Sequence, residues 1–324
     1  MSILVTGAAG FIGSHLAELL SERGHHVRGF VRQKAGPSHG ENKNITYFTG
    51  DICDAPSLEP AVKNADYVFH IAALQTGRYT TEEFFRVNVQ GTVNLLEACC
   101  RVAPKIKRFV HVSSISAAGP RNNYEVITED SPCLPRDAYG MSKLRAEELA
   151  LEYGKKVPVT VIRPPLVYGP GDRNPLTVLK YMKMVNKGFY LSRGAYNKHF
   201  SHIYVKDLAE GLVTAAESDR SDGRKYFLCS DMPTTYDEIC GLTAEALQKK
   251  VLKITIPSFL LKGKAFLKNV YGEKGNEGSL GKNIPEYWVC DGSKAKRELR
   301  FQTHTSLAEG IMKTAKWYLQ EGWI

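Results

Sequence analysis

The chain has 324 residues, 43% hydrophobic and 24% charged, close to the globular average, which excludes a mainly disordered, collagenous or coiled-coil chain. Its length suits two domains, or one large domain with an added lobe, and supports a sizeable core without covalent staples. Lys and Arg outnumber Asp and Glu by 43 to 34, a net charge of +9, yet no basic run reaches five residues. A nucleic-acid tail is therefore not expected, and the surplus suits an anionic ligand or an acidic surface without requiring either.

In chain order, short β-branched runs predict strands at Ile3–Thr6, Val27–Val31, Ile45–Thr49, Tyr67–Ile71, Phe109–Ser113, Val159–Arg163 and Tyr226–Cys229. They are nearly all apolar, as strands covered on both faces must be. Between them, helical periodicity marks Ile12–Glu22, Ser57–Lys63, Thr81–Val102, Ala138–Tyr153 and Val205–Glu217. This alternation implies right-handed crossovers and an α/β fold with a doubly wound parallel sheet. After Arg163 the rhythm loosens into a turn-rich segment, Pro164 to Pro175, followed by a helix at about Leu176–Lys187. A Gly/Lys/Asn-rich loop is expected around Gly272–Asn283. The expected division is a dinucleotide-binding domain of residues 1–167 and 199–229, with a smaller, discontinuous substrate lobe of 168–198 and 230–324.

The start, Met1-Ser2-Ile3-Leu4-Val5-Thr6-Gly7, has no basic leader and its apolar run stops at a glycine, so a signal peptide is not expected. No stretch approaches the ~20 apolar residues of a membrane span. Seven cysteines, an odd number without a Cys-x-x-Cys pair, argue against a disulfide framework or a zinc site. The histidines His15, His25, His26, His199 and His202 lack partners at ligand spacing, so no metal is expected. A cytoplasmic protein follows from these signs.

Gly7-Ala8-Ala9-Gly10-Phe11-Ile12-Gly13 links the first strand to the first helix. The first glycine permits a tight turn, the second lets backbone approach a pyrophosphate, and the third lets helix and strand pack closely. Free N–H groups at the helix start then face the phosphates. Further on, Tyr139-Gly140-Met141-Ser142-Lys143 puts a phenol and an ammonium one turn apart on a helix face. A phenol's ordinary pKa is ~10, and a nearby ammonium stabilises the phenolate. Asp137 is placed to cap that helix.

With its Gly-x-x-Gly-x-x-Gly spacing and its Tyr-x-x-x-Lys pair, the chain resembles the short-chain dehydrogenase/reductase superfamily in its extended, epimerase/dehydratase form. Thr49-Gly50-Asp51-Ile52, His70-Ile71-Ala72-Ala73, Asn88-Val89-Gln90-Gly91-Thr92 and Arg163 to Gly171 add to the likeness, which is close over residues 1–217 and loose beyond. The resemblance implies a Rossmann fold and a site of Ser114, Tyr139 and Lys143. Ser114 is chosen because it stands five residues before Gly119; Ser113 is read as bonding the backbone. Asn88 ranks below these three, as a residue that bonds backbone near the site or bends its own helix. The implied cofactor contacts are Gly7, Gly10, Phe11, Ile12 and Gly13, then Arg32, Asp51 and Ile52, then Ile71, Ala72, Ala73, Gln75 and Val167, together with Tyr139 and Lys143.

Family members using NAD usually carry an acid at the position of Val31, and Arg32, with Arg28 and Lys34 nearby, could pair a 2′-phosphate. NADP(H) is therefore expected, with NAD(H) as the alternative. Among the family's branches, Ser114-Ile115-Ser116 lacks the acidic pair of sugar dehydratases. Nucleotide-sugar members usually have an arginine four residues before Tyr204-Val205-Lys206-Asp207, where this chain has Phe200, with Arg173, Arg193 or Lys198 as substitutes. The loop Val112–Pro120 resembles that of 3β-hydroxysteroid dehydrogenases, and Val27–Arg32 that of dihydroflavonol reductases. The favoured expectation is hydride transfer between NADP(H) and an alcohol or ketone of a largely apolar small molecule. Tyr139 would be the acid/base, Lys143 would lower its pKa and Ser114 would polarise the substrate oxygen. A nucleotide-sugar epimerase retaining NAD(P), and an NADP(H) sensor without turnover, are the alternatives. The apolar stretches Ile256–Leu261 and Ala265–Leu267, interleaved with lysines, are read as core, with membrane-surface contact as the other reading. The resemblance also implies a homodimer through Thr81–Val102 and Ala138–Tyr153.

Overall fold

The computed structural model describes residues 1–32, 43–75, 79–174, 177–192, 198–256 and 287–324. Lys34, Arg193, the start of the helix expected at Leu176, most of the apolar stretches between Ile256 and Leu267, and the loop expected at Gly272–Asn283 lie outside these residues.

All seven expected strands form one parallel sheet. In chain order it is built from β1 (Ser2–Thr6), β2 (His26–Val31), β3 (Ile45–Thr49), β4 (Tyr67–His70), β5 (Arg108–Val112) and β6 (Val159–Arg163), closed by the strand Arg224–Phe227. The spatial order is Arg224–Phe227, β6, β5, β4, β1, β2, β3, so the chain reverses direction across the sheet between β1 and β4. That is the switch point where doubly wound sheets open a crevice for ligands.

Successive strand residues serve opposite faces. Ile3 and Val5 of β1 enter the cluster under α1 (Phe11–Glu22) and α8 (Val205–Glu217), while Leu4 enters the one under α2 (Ala55–Val62) and α4 (Gly91–Val102). Helix α1 buries Leu16, Ala17 and Leu20, and α8 buries Leu208, Ala209, Leu212 and Val213, the spacing that presents one stripe to a sheet. Two covered faces explain why the strands are apolar throughout.

The helix expected at Thr81–Val102 is not continuous. It runs as α3 (Thr81–Phe84), a π-helical turn at Phe85–Gln90, and α4. The widened turn contains Asn88, whose side chain bonds outward instead of lying along the helix surface. The short α5 (Ile115–Ala118) and the long α6 (Ala138–Glu152) follow β5.

The smaller lobe is assembled from separated pieces. Strand Leu166–Tyr168 pairs with His202–Tyr204, His199–Phe200 with Thr234–Thr235, and Phe189–Ser192 with Leu252–Thr255. Helices α7 (Val178–Asn186), α9 (Tyr236–Ala246) and Leu307–Gln320 enclose its own core of Tyr168, Met182, Phe200, Ile239, Ile311 and Tyr318. Three bonds fasten the last helix and the segment before it: Tyr318 Oη donates to Asp172 O at 2.6 Å, and the buried Asp207 carboxylate of α8 accepts from His304 N and Thr305 N. Among the described residues, no helix is long and apolar enough to cross a membrane, and no three His, Cys, Asp or Glu side chains group as a metal site.

Candidate active site

The glycine loop works by leaving things out. Gly7 has φ +69°, and a Cβ at position 13 would lie 2.1 Å from the Gly7 carbonyl oxygen. Any side chain at 13 would push α1 off the loop. Gly10 is the N-cap of α1, so no side chain caps that end, and no acidic residue sits in its first turn. The first amides of α1, next to Phe11 and Ile12, therefore keep their bonding capacity and the positive end of the helix dipole. A pyrophosphate fits such an end.

The other expected cofactor residues gather around it. Thr6, Val31, Thr49 and His70 end β1 to β4, so Arg32, Asp51, Ile52 and the run Ile71 to Gln75 all lie just beyond the carboxyl ends of strands. Arg32 and Gln75 are exposed, Ile71, Ala72 and Ala73 are half-buried, and Ile52 is buried beneath Gly91. Asp51 turns its carboxylate onto Cys53 N at 2.8 Å. Val167 is half-buried on the strand that follows β6.

A polar chain that the sequence did not announce runs beneath this edge. Thr6 Oγ1 accepts from Ile71 N and Ala72 N, both at 3.1 Å, and so gives its own proton to His70 Nδ1 at 2.9 Å. His70 Nε2 then donates to Thr92 Oγ1 at 2.9 Å, whose proton goes to Asn88 O at 2.7 Å. Bond counting thus assigns the Nε2–H tautomer. Burial holds His70 neutral, its pKa pushed down to about 3, with the Lys143 charge adding to the effect. The Asn88 amide accepts from Leu74 N at 2.7 Å and donates to Leu74 O and to Ser142 Oγ. It therefore joins the loop after β4 to the helix that carries Tyr139.

On α6, Asp137 caps the first turn by accepting from Gly140 N at 2.7 Å. Tyr139 is half-buried, its phenol is under the influence of the Ser114 hydroxyl, and the Phe84 ring is 6.0 Å away. Burial raises its pKa to about 12, and the Ser114 hydroxyl opposes the rise. Ser114 Oγ also accepts from Ser116 N at 3.1 Å. One turn on, Lys143 is 3% exposed and its ammonium donates to Val112 O at 2.6 Å. Burial lowers its pKa to about 8, against the attraction of Glu147. A chargeable amine and a phenol near a hydroxyl donor make a constellation suited to proton transfer at a substrate oxygen.

The Ser113 side chain does not bond backbone, contrary to expectation. Its hydroxyl donates to Glu147 Oε2 at 2.9 Å. Glu147 pairs with the fully buried Arg163, whose Nε lies 3.0 Å from Oε2 and whose Nη2 bonds Oε1. Sequence spacing held one signal for this partner, a Tyr-x-x-x-Lys-x-x-x-Glu continuation of one helix face.

The sequence profile of the NAD dependent epimerase/dehydratase family matches residues 3–229. The UDP-glucose 4-epimerase of Vibrio cholerae is 28% identical, over 98% of this chain and 96% of that protein. The 3 beta-hydroxysteroid dehydrogenase/Delta 5-->4-isomerase of Mycobacterium tuberculosis is 33% identical, over 78% of this chain and 71% of that protein. Among solved structures, MoeE5 in complex with UDP-glucose and NAD superposes with a TM-score of 0.80 at 27% identity, over 99% of both chains.

These findings overturn two expectations. The preference for NADP(H) fails, because the structure matched end to end holds NAD. Val31 is 4% exposed and packed in the core beneath α1, so its lack of a carboxylate reports packing and not the ribose. The expected oxidoreduction of an apolar alcohol fails as well, since the Vibrio cholerae epimerase and MoeE5, both matched over nearly their whole length, are described with UDP-glucose. Phe200, which argued against a diphosphate, is a core residue of the lobe, its ring 4.5 Å from that of Tyr236. Its identity is set by that packing, and an anion contact must come from elsewhere. Arg173 has its guanidinium over the Trp323 ring at 5.6 Å. The profile and the parallel sheet agree: the chain belongs to the NAD dependent epimerase/dehydratase family and is an NAD(P)-dependent enzyme of the extended short-chain dehydrogenase/reductase type.

Proposed function

We propose that this enzyme interconverts nucleotide sugars at a ring carbinol, as an epimerase that retains NAD. The carrying observation is the end-to-end likeness to a protein holding UDP-glucose and NAD, in a chain that keeps the Ser114–Tyr139–Lys143 constellation beside an uncapped α1. The open N-terminus of α1, with Gly7, Gly10 and Gly13, would hold the pyrophosphate; Asp51, Ile52 and Ile71 to Ala73 would flank the adenosine; Lys143 would reach the nicotinamide ribose. When bound, NAD supplies a hydride acceptor that returns its hydride to the opposite face of the sugar.

Tyr139 takes the proton of the sugar hydroxyl while that carbon is oxidised, and gives it back on reduction. Ser114 donates to the same oxygen as charge develops on it. Lys143 favours the phenolate by its charge, and since its own pKa is about 8 it is mostly protonated at neutral pH. Burial of the phenol acts against proton removal, and the Ser114 hydroxyl opposes that effect.

The expected division remains part of this reading: residues 1–167 and 199–229 for the cofactor, 168–198 and 230–324 for the sugar nucleotide. So does a homodimer through α4 and α6, which size-exclusion chromatography with light scattering would test. The likeness to a 3 beta-hydroxysteroid dehydrogenase extends over 78% of this chain and 71% of that protein, short of the end-to-end match to the protein holding UDP-glucose. The deciding experiment incubates the protein with NAD and UDP-glucose, UDP-galactose or UDP-glucuronate, and follows products by chromatography and absorbance at 340 nm. An equilibrium mixture of C4 epimers without accumulating NADH is expected. Unchanged sugar nucleotides across the panel would sink the reading.

A further inference from the structure

Helix α6 and the end of β5 meet through three consecutive contacts. On α6, Tyr139, Lys143 and Glu147 stand four residues apart, on one face. On β5 and just beyond it, Val112, Ser113 and Ser114 are consecutive. The Ser114 hydroxyl acts on the Tyr139 phenol, the Val112 carbonyl holds the Lys143 ammonium at 2.6 Å, and Ser113 Oγ donates to Glu147 at 2.9 Å. The third contact touches nothing that reacts.

It is nonetheless built at a cost. Glu147 is 1% exposed and Arg163 is not exposed at all. Taking both charges from water costs several kcal/mol per ion, so a buried pair is weak grounds for stability, and a well-packed apolar pair of similar volume is often no worse. The Glu147 carboxylate accepts three donors, Ser113 Oγ, Arg163 Nε and Arg163 Nη2. Arg163 is held in turn by Cys133 Sγ at 3.3 Å from Nη2 and by the Phe227 ring at 5.7 Å. Both partners are thus fixed from β5, β6, the seventh strand and the loop before α6.

What the pair faces explains its use. Lys143 is surrounded by Tyr139 and Glu147 on its own helix, His111 on β5 and His70 on β4, with Arg163 of β6 behind Glu147 and Asp137 at the head of α6. His70 and His111 are fully buried and neutral, and the lysine charge helps to keep them so. Glu147 is the anion whose attraction Lys143 feels. We propose that Glu147, anchored by Ser113 and Arg163, is a positioning residue that acts through Lys143 as its buried counter-charge and holds α6 in the register that brings Tyr139 to Ser114. This rests on reading Tyr139 and Lys143 as the proton-transfer pair.

The test reads Lys143 directly, so that it does not depend on turnover. Protein labelled with ¹⁵N at lysine Nζ is titrated by NMR, with the Lys143 signal assigned by its loss in Lys143→Met. In Glu147→Gln the Lys143 midpoint should fall by about one pH unit. Glu147→Asp, which keeps the charge, should recover at least half of that shift. Because Glu147→Gln strands the Arg163 charge in the core and could prevent folding, Glu147→Gln/Arg163→Met removes both charges and should fold while moving Lys143 in the same direction. With less charge on Lys143, the acid limb of the pH–rate profile should move to higher pH and kcat at pH 7 should fall about tenfold, KM staying within about twofold. A Lys143 midpoint unchanged to about 0.2 unit in the folded double variant would overturn the proposal and leave the pair as packing. Absence of sugar interconversion by the unaltered protein would instead sink the proposed function and leave the Lys143 titration standing.

Discussion

The N-termini of α1 and α6 solve opposite problems. Helix α1 begins at Gly10 with no capping side chain and no acid in its first turn, so its amides are left for something else to bind. Helix α6 begins at Asp137, whose carboxylate takes the Gly140 amide, and the proposed chemistry lies along its length instead, at Tyr139 and Lys143, with Glu147 one turn on. One helix leaves its end open, and the other anchors its buried charges through bonds along its face. A helix end that looks defective by capping rules is therefore informative, and so is a helix face that buries a paired charge.

Tyr139→Phe strikes the α6 side alone. It should reduce turnover by about a thousandfold, within the range for a lost acid/base, while calorimetry shows NAD binding nearly unchanged. A variant that retained full activity would remove Tyr139 from the chemistry. Acid separates the two regions by a different route. The glycine loop carries no titratable side chain, whereas the β4–β5 side holds His70 at about 3 and His202, in the lobe, is held at about 4, both lowered by burial. Both are neutral when folded and take up protons when unfolded below their ordinary value of about 6.5. Their stabilising contribution is present above that pH and lost as pH falls toward 4, at about 1.4 kcal/mol per pH unit for each. Urea melts between pH 7 and 4.5 should show that slope reduced in His70→Gln, and no reduction would mean that His70 is already charged in the fold.

Gly10→Asp would give α1 the cap it lacks. A Cβ there meets the Gly7 oxygen at 3.1 Å, which is tight but needs only a small shift. NAD affinity should fall more than tenfold while the apo protein gains about 1 kcal/mol, a divergence that equilibrium melting and calorimetry would resolve. The reverse change, Asp137→Ala, has the smallest expected effect: about 1 kcal/mol lost in stability, with NAD affinity unaltered.

The parts legible in the sequence were those encoded locally. Strand β1, the Gly7–Gly13 loop and α1 are contiguous, and Tyr139 and Lys143 are one turn apart, so spacing alone places them. Glu147 and Arg163 are 16 residues apart on different elements, and Thr6, His70 and Thr92 come from two strands and a helix; pairings of that kind depend on register, which a pattern does not supply. The π-helical turn at Phe85–Gln90 was hidden because its residues keep a helical pattern. The cofactor and substrate readings failed where a residue was credited with facing a ligand while it faced the core, as with Val31 and Phe200.

The bond from Tyr318 to the Asp172 carbonyl joins residues 146 positions apart, and it fixes the turn that follows the strand carrying Val167. During synthesis, the sheet and the Tyr139 helix can condense while that turn still lacks its anchor. The turn after Val167 gains this anchor only after helix Leu307–Gln320 has left the ribosome and docked. A nascent chain would thus acquire its parallel sheet well before it acquires this anchor, and contacts of such separation along the chain are slow to form.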